Sequence, residues 1–520
     1  MMKILYVPLD ERPCNYRQPV MLSEISDDIT LLAPPLSCMG KLKKPADVEA
    51  LWSWVFEHAA ECESAILSID TLVYGNIIGS RIHHLSEAEC AKRLAGLNKL
   101  KAINPKLTIY AFNLVARVAN YDDAAEDPDY WDDYGAAIWK YSFYLDKCQR
   151  GILTGSEVKE FDALKARIPA DVLEDFLVRR KVDRFVNLNC LDYLKAGVIE
   201  ELVIPKDDNA EFGYAAMDHR AVAEKIFSER LMNRVMIYPG ADEVGSVLLA
   251  RAFNKHVGYT PKVYTRYSSA TGHTVVPGYE DRPLAEGVKA QITSMGGICV
   301  DTPQESDFLF AVNAPGKIML ECEDQFEAKD ISYYTHTNLH EFIRYIQYYR
   351  ETWHRPVAIA DDAYSNGADN EFMLMANECG LFEEALAYGG WNTSENTNGM
   401  CLAHAAIASY YGRRGWKGGN QENSERFLLR KIIEDWLYQA NMRYQILDKK
   451  SEIGFDPFCV GEKEQVVVET MLSLLRQDIK AELNNRFLGK TIDVENLSLP
   501  WNRIYDIDFD LHLLKEGNMA

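Results

Sequence analysis

The sequence predicts an α/β fold: two mostly parallel, Rossmann-like units with a helical insertion and a helical C-terminal region. Three observations carry that expectation. Short apolar runs alternate with amphipathic helical segments, the pattern of a parallel sheet with helices on its faces. Several of those runs end directly in acidic or amide residues. The alternation breaks once, over residues 121–196, where acidic and aromatic residues give way to long helical periodicity.

The elements follow in order. Ile4 to Leu9 and Ile29 to Ala33 read as buried strands, the second closed by Pro34-Pro35. Pro45 opens a helix with Val48, Leu51, Trp52 and Val55 on one face. Ala65 to Ile69 is a third strand, and Ser86-x-x-Glu89 is a capping box ahead of Leu94, Leu97 and Leu100. Leu107 to Phe112 is a fourth strand. A second series begins near Leu202, with strands at Leu202–Pro205, Val235–Tyr238, Val263–Tyr267, Phe308–Asn313, Val357–Ala360 and Leu386–Tyr388. Helical periodicity returns from about Asn423, and Leu497 to Leu514 reads as an irregular tail. The division expected is 1–120, 121–200, 201–420 and 421–520. Two short echoes, Asp10-Glu11-Arg12-Pro13 with Glu280-Asp281-Arg282-Pro283 and Gly240-Ala241-Asp242-Glu243 with Gly367-Ala368-Asp369-Asn370-Glu371, raise the question of a duplication.

Composition narrows the function classes. The 520 residues exceed one ordinary domain, and 47% hydrophobic content suffices for a core without staples. Lys plus Arg is 56 against 78 Asp plus Glu, a net charge of −22. Such a surface repels phosphate backbones and anionic lipid heads, so neither nucleic acid nor a membrane is an expected partner. The 11 Cys are scattered with no CxxC pair, which fits free thiols in a reducing cytoplasm. The N-terminal apolar run is too short for a signal peptide, and no stretch is long enough to span a membrane. The chain lacks GxxxxGK[ST], HExxH and GxSxG, and it has no GxGxxG after the first strand.

The remaining chemical signal is positional, because open parallel sheets bind ligands beyond the carboxyl ends of their strands. Residues falling there are Asp10, Glu11, Arg12, Asp70, Asn76, Asn113, Arg117, Asp207, Asp208, Asn209, Asp242, Glu243, Asp361 and Asp362. A single Asp or Asn at such a place is accounted for as a helix cap, whereas Asp-Glu and Asp-Asp doublets exceed what a cap needs. Gly240 permits an unusual turn just before Asp242-Glu243. Tyr388-Gly389-Gly390-Trp391-Asn392-Thr393-Ser394-Glu395-Asn396-Thr397-Asn398-Gly399 sets one indole among amides and hydroxyls, which suits a ligand with many hydroxyl groups; the plain alternative is a solvated loop with a cap at Thr397 or Asn398. His83-His84 reads as a surface pair. Arg12, Arg117, Arg266 and Arg282 are candidates to clamp a carboxylate or phosphate.

Leu9-Asp10-Glu11-Arg12-Pro13, Gly240-Ala241-Asp242-Glu243, Asn366-Gly367-Ala368-Asp369 and Gly390-Trp391-Asn392-Thr393, in this order, resemble a bacterial family known as domain of unknown function 4127, over nearly the whole chain. The resemblance carries no activity with it.

The leading expectation is a hydrolase acting on a glycosidic bond or a sugar-like small polar substrate, with its paired carboxylates drawn from Asp242, Glu243, Asp361 and Asp362. Asp10, Glu11, Arg12, Asp70, Asn113, Arg117, Trp391, Asn392 and Asn396 would hold that substrate. No cofactor is required by the sequence. A second reading is a Mg²⁺- or Mn²⁺-dependent enzyme on a phosphorylated or hydroxylated metabolite. A third is a non-catalytic sugar or metabolite binder that closes by a hinge. The oligomeric state is left open.

Overall fold

In the computed structural model, which describes residues 1–515, the first six strands form one parallel sheet. They are β1 (Met2–Val7), β2 (Ile29–Leu32), β3 (Ser64–Ser68), β4 (Thr108–Phe112), β5 (Glu201–Lys206) and β6 (Val235–Pro239), in the order β2-β1-β3-β4-β5-β6. All five residues of β3 are buried, as expected of a central strand covered on both faces. The chain steps out from β1 to β2 and then crosses to β3 on the other side. The order therefore reverses between β1 and β3, which opens a crevice at their carboxyl ends.

Strands β5 and β6, which the sequence pattern groups with the later strands, hydrogen-bond into this first sheet. The reason lies in the helices between. Trp131–Gln149, Gly155–Arg167 and Ala170–Lys195 separate β4 from β5 along the chain, but the last of them is also the crossover that joins these two neighbours. Its Val182, Val186, Cys190, Leu191 and Leu194 pack on one face of the sheet with Leu5, Leu67, Ile109 and Ile204.

The second sheet comprises β7 (Lys262–Tyr267), β8 (Ile298–Cys299), β9 (Phe308–Asn313), β11 (Val357–Asp361) and β13 (Ala387–Gly389), all parallel, ordered β13-β11-β9-β7-β8. The short strands β10 (Leu320–Glu321) and β12 (Tyr364–Ser365) pair beside it. Its second strand also lies outside its first. Asp10-Glu11-Arg12-Pro13 and Glu280-Asp281-Arg282-Pro283 each sit between the first strand of a sheet and the helix that follows, so that echo falls at equivalent places. The Gly240 and Gly367 segments do not: one follows the sixth strand of its sheet, the other the β11–β12 connection.

Helix Val244–Val257, leaving β6, packs against helix Ser394–Gly412, leaving β13. A single apolar cluster runs from Ile4 and Tyr6 through Val247 and Phe253 to Phe310, Ala358 and Ile407, so the two sheets share a core. Burial of each such large aliphatic side chain contributes about 1.5–3 kcal/mol. Helix Gln421–Lys431 continues into a π-helical stretch, Ile432–Met442, and helix Glu464–Leu483 follows. The C-terminal tail is an ordered three-stranded antiparallel sheet, β14 (Arg486–Phe487), β15 (Lys490–Ser498) and β16 (Asp508–Leu514). Phe509, Leu511 and Leu513 alternate into the core there, a period-two signal that a reading as irregular tail passes over. No helix of the described residues is long and apolar enough to cross a membrane.

Candidate functional site

A cavity of about 660 Å³ lies where the carboxyl ends of both sheets face each other. The first sheet contributes Arg12 after β1, Ile77 and Arg81 after β3, Arg117 after β4, Lys206 to Asp208 at the end of β5, and Gly240 to Asp242 after β6. The second contributes Tyr279 and Glu280, Asn366, and the run Trp391 to Thr393 with Asn396. Residues Tyr121–Glu126 from the start of the insertion close one side. Arg443, Phe458, Arg503, Tyr505 and Asp506 of the C-terminal region close another.

The walls are held by arginine–carboxylate pairs. Arg12 Nη2 donates to Asp10 Oδ2 (2.7 Å) and to Asp242 Oδ1 (2.5 Å), while its Nη1 donates to Asp242 Oδ2 (3.2 Å). Asn15 Nδ2 donates to Asp242 Oδ1 (2.8 Å), and the Asp242 N–H donates to Asn396 Oδ1 (3.2 Å). Arg81 binds Glu126 (2.7 Å) and Asp207 (2.6 Å), and Arg117 binds Asp127 (2.6 Å) and Asp208 (3.2 Å). Arg503 binds Asp506 (2.9 Å) and Glu126, and Lys206 contacts Asp281. Arg12 and Arg503 both lie over the Trp501 ring, 4.5 and 4.6 Å from its centroid.

Local backbone geometry aims the remaining groups. Gly240, at φ +130°, makes the turn that carries Asp242. An N-cap at Thr393 starts helix Ser394–Gly412, earlier than the cap at Thr397 or Asn398 that a solvated loop would have. Ser394 to Asn398 are consequently buried helical residues. Tyr279, Asn366 and Asn392 line the cavity in the left-handed region, at φ +67°, +63° and +68°. Such strain costs about 1–3 kcal/mol per residue and gathers at functional sites. The Asn209 N–H donates to the Tyr279 carbonyl (2.9 Å), tying the loop after β5 to the loop after β7. Asp208 and Glu280 flank that tie. Burial and the neighbouring Asp207 push the Asp208 carboxyl up to about 6. Burial, with Asp362 and Glu243 nearby, pushes Glu280 up to about 8.

Behind Glu280 is a buried group of acids. Gln291 Nε2 donates to Glu243 Oε1 (2.9 Å) and Glu395 Oε2 (2.8 Å), and Glu280 Oε1 accepts the Glu395 N–H (2.9 Å). Burial pushes Glu243 up to about 7 and drives Glu395 and Asp362 well above the carboxylate range. Both Asp362 oxygens are buried without a hydrogen bond. Asp361 accepts from Asn313 Nδ2 (2.9 Å) and from the Asp369 N–H (2.8 Å). Among the described residues, no group of three or more His, Cys, Asp or Glu is arranged to hold a metal ion.

Of the residues singled out from the sequence, the structure brings Arg12, Arg117, Asp207, Asp208, Asp242, Trp391, Asn392 and Asn396 to the cavity. Glu243, Asp361 and Asp362 lie outside its lining, and so do Asp10, Glu11, Asp70 and Asn113. Asp10 holds Arg12, and Glu11 accepts from Trp501 Nε1 (2.7 Å). Asp70 accepts from Asn113 Nδ2 (3.1 Å) and the Leu114 N–H (3.0 Å), tying the ends of β3 and β4. His83 is half-buried: its ring meets Asp183 at 2.9 Å and stacks on Tyr74, while His84 is exposed. Arg266 pairs with Glu341 and Arg282 with Asp281, and neither arginine is in the cavity lining. The sequence reasoning missed Arg81, Glu126, Arg443, Arg503 and Asp506 as site residues. Glu280 had one signal, its place in the echo of Asp10-Glu11-Arg12-Pro13.

A comparison with curated proteins gives no match. A family model described as a protein of unknown function (DUF4127) matches residues 4–510, and the matched span contains every residue that lines the cavity. The chain thus belongs to the DUF4127 family.

Proposed function

We propose that the chain is a hydrolase of a sugar-like small polar substrate, with Glu280 as general acid and Asp208 as its partner carboxylate. The observation that carries this reading is the pair of carboxyls on tied loops of one cavity, pushed up to about 8 and about 6. Two carboxyls whose environments separate their proton affinities are what acid–base hydrolysis uses. At pH 7 Glu280 keeps its proton; its Oε1 accepts the Glu395 N–H and its Oε2 is buried without a hydrogen bond, so the partner for that proton would be a leaving oxygen of the bound substrate. Asp208 is ionised, half-buried and bound through one oxygen only, to Arg117, so its other oxygen is open to water or substrate. Asp242 has both oxygens engaged by Arg12, Asn15 and Asn392 (3.4 Å), which suits positioning better than attack. The half-buried Trp391 offers a face for the apolar side of a sugar ring, beside the amides of Asn392 and Asn396.

The test is a panel of 4-nitrophenyl glycosides with the wild type, Glu280→Gln and Asp208→Asn. Loss of an acid–base group lowers kcat by about 10²- to 10⁴-fold. Wild-type kcat should decline as pH rises through about 8, where Glu280 loses its proton, and as pH falls through about 6, where Asp208 gains one. A wild type that hydrolyses a glycoside and keeps its rate in both variants would remove the assignment.

A further inference from the structure

Six cationic side chains line the cavity, and five of them are matched by carboxylates. Arg12, Arg81, Arg117, Lys206 and Arg503 each contact at least one Asp or Glu. Arg443 is the exception. It is only 8% exposed, and no carboxylate within salt-bridge distance faces it among the described residues. Its Nη2 donates to Tyr444 Oη (2.8 Å), its Nε is buried without a hydrogen bond, and its Nη1 makes none. The guanidinium lies over the rings of Tyr444 and Tyr505, at 5.0 and 5.6 Å, so its direction is set although its charge is unanswered. It follows directly on the π-helical stretch Ile432–Met442, a backbone irregularity that recurs at functional sites.

A buried cation without a counter-charge is costly, and the great majority of buried polar groups in proteins are satisfied. Among the described residues, the open side of Arg443 is the cavity that it lines. We propose that Arg443 recognises an oxyanion, a phosphate or carboxylate substituent, on the molecule that the cavity binds. This inference rests on the cavity being the ligand site and adds a charge to the ligand. The acids of the cavity do not forbid such a group. Glu126, Asp207, Asp208, Asp242 and Asp506 are already bound to arginines, and Glu280 holds its proton at neutral pH. Only the exposed Asp122 and the half-buried Asp123 remain, and each accepts a backbone N–H. A guanidinium fork suits both kinds of oxyanion, so the experiment separates them.

The experiment is calorimetric and thermal-shift titration of the full chain with inorganic phosphate, glucose 6-phosphate, glucuronate and glucose. Wild type, Arg443→Gln and Arg443→Lys are compared. The expected result is saturable binding of inorganic phosphate and at least one anionic sugar, tighter than glucose. Glucose 6-phosphate against glucuronate tells phosphate from carboxylate. Arg443→Gln should weaken the anionic ligands by about 10- to 100-fold, the worth of a charge-assisted hydrogen bond, and leave glucose unchanged. Arg443→Lys, which keeps the charge and loses the fork, should fall between. The unliganded Arg443→Gln protein should melt no lower than wild type, because the variant removes an unpaired buried charge. If Arg443→Gln does not fold, Arg443→Lys carries the test alone. Equal phosphate binding by wild type and variant, or no anion binding by wild type, overturns the proposal. Because the readout is binding, the anion site stands or falls separately from glycoside hydrolysis.

Discussion

Replacing Gly240 with Ala tests whether the turn under Asp242 is built as described. Gly240 sits at φ +130°, where an L residue is strained by about 1–3 kcal/mol. An added Cβ would also fall on the Glu243 carboxylate, nearest to Oε1. That carboxylate would have to move, giving up the Gln291 amide (2.9 Å) and the Ala241 N–H (3.0 Å). Each buried donor left unsatisfied costs about 1–3 kcal/mol. Gly258 is the control. It too is left-handed, at φ +66°, but its Cβ would meet nothing within 4 Å, so Gly258→Ala carries backbone strain alone, about 1–2 kcal/mol. Gly240→Ala should therefore lose about 2–6 kcal/mol more than Gly258→Ala, about 1–3 kcal/mol for each of the two donors. The assay is equilibrium urea unfolding of wild type and both variants, followed by tryptophan fluorescence. Equal losses in the two variants would refute the reasoning, because they would mean that Glu243 does not occupy the space beneath the turn.

Two further outcomes follow from buried charge. Glu243 has a folded-state carboxyl raised by burial to about 7 from 4.5, so the folded protein holds its proton where the unfolded chain has released it. That contribution is fully present below pH 4.5 and is lost as pH rises to about 7. Glu243→Gln does not titrate, and at about 1.4 kcal/mol per pH unit it should gain about 3 kcal/mol on wild type across that window and hold the difference above it. Urea unfolding between pH 4.5 and 8 checks this, and a pH-independent difference would contradict it. In the Arg12 cluster, one guanidinium serves two buried carboxylates, Asp10 at 0% and Asp242 at 6% exposure. Arg12→Met leaves both uncompensated and should cost about 3–5 kcal/mol. Asp10→Asn leaves a neutral Arg12–Asp242 pair and should cost only about 1 kcal/mol. The reverse order in unfolding experiments would show that Asp10, not Arg12, anchors the cluster.

Strand positions were legible because a parallel strand buried on both faces needs an unbroken apolar run, and Phe308–Asn313 or Val357–Asp361 leave few other ways to bury such residues. The helix Val48–His58 and the capping box at Ser86 and Glu89 are local physics in the same sense, settled by residues within one or two turns. Sheet membership was harder to read. Whether β5 joins β4 across a helical insertion depends on which hydrogen-bonding edge is free in space, and sequence adjacency does not record that.

The same division runs through the site. By itself the sequence determined which residue types stand at strand ends: Arg12, Arg117, the pair Asp207 and Asp208, Asp242 and the Trp391-Asn392 loop follow five different strands and reach the cavity for that reason. Glu243 follows Asp242 immediately, yet it points away from the cavity toward Gln291, because the backbone after Gly240 turns one side chain outward and the next inward. Only tertiary structure brought in Arg443 and Arg503, which come from a helical and an irregular segment far along the chain and carry no local mark of a site. It alone also decided protonation. Glu280 and Glu395 are ordinary glutamates in the sequence; burial raises both carboxyls, helped by Asp362 and Glu243 at Glu280 and by Glu280 and Glu243 at Glu395. Burial and the proximity of like charges are properties of packing, and no stretch of sequence contains them.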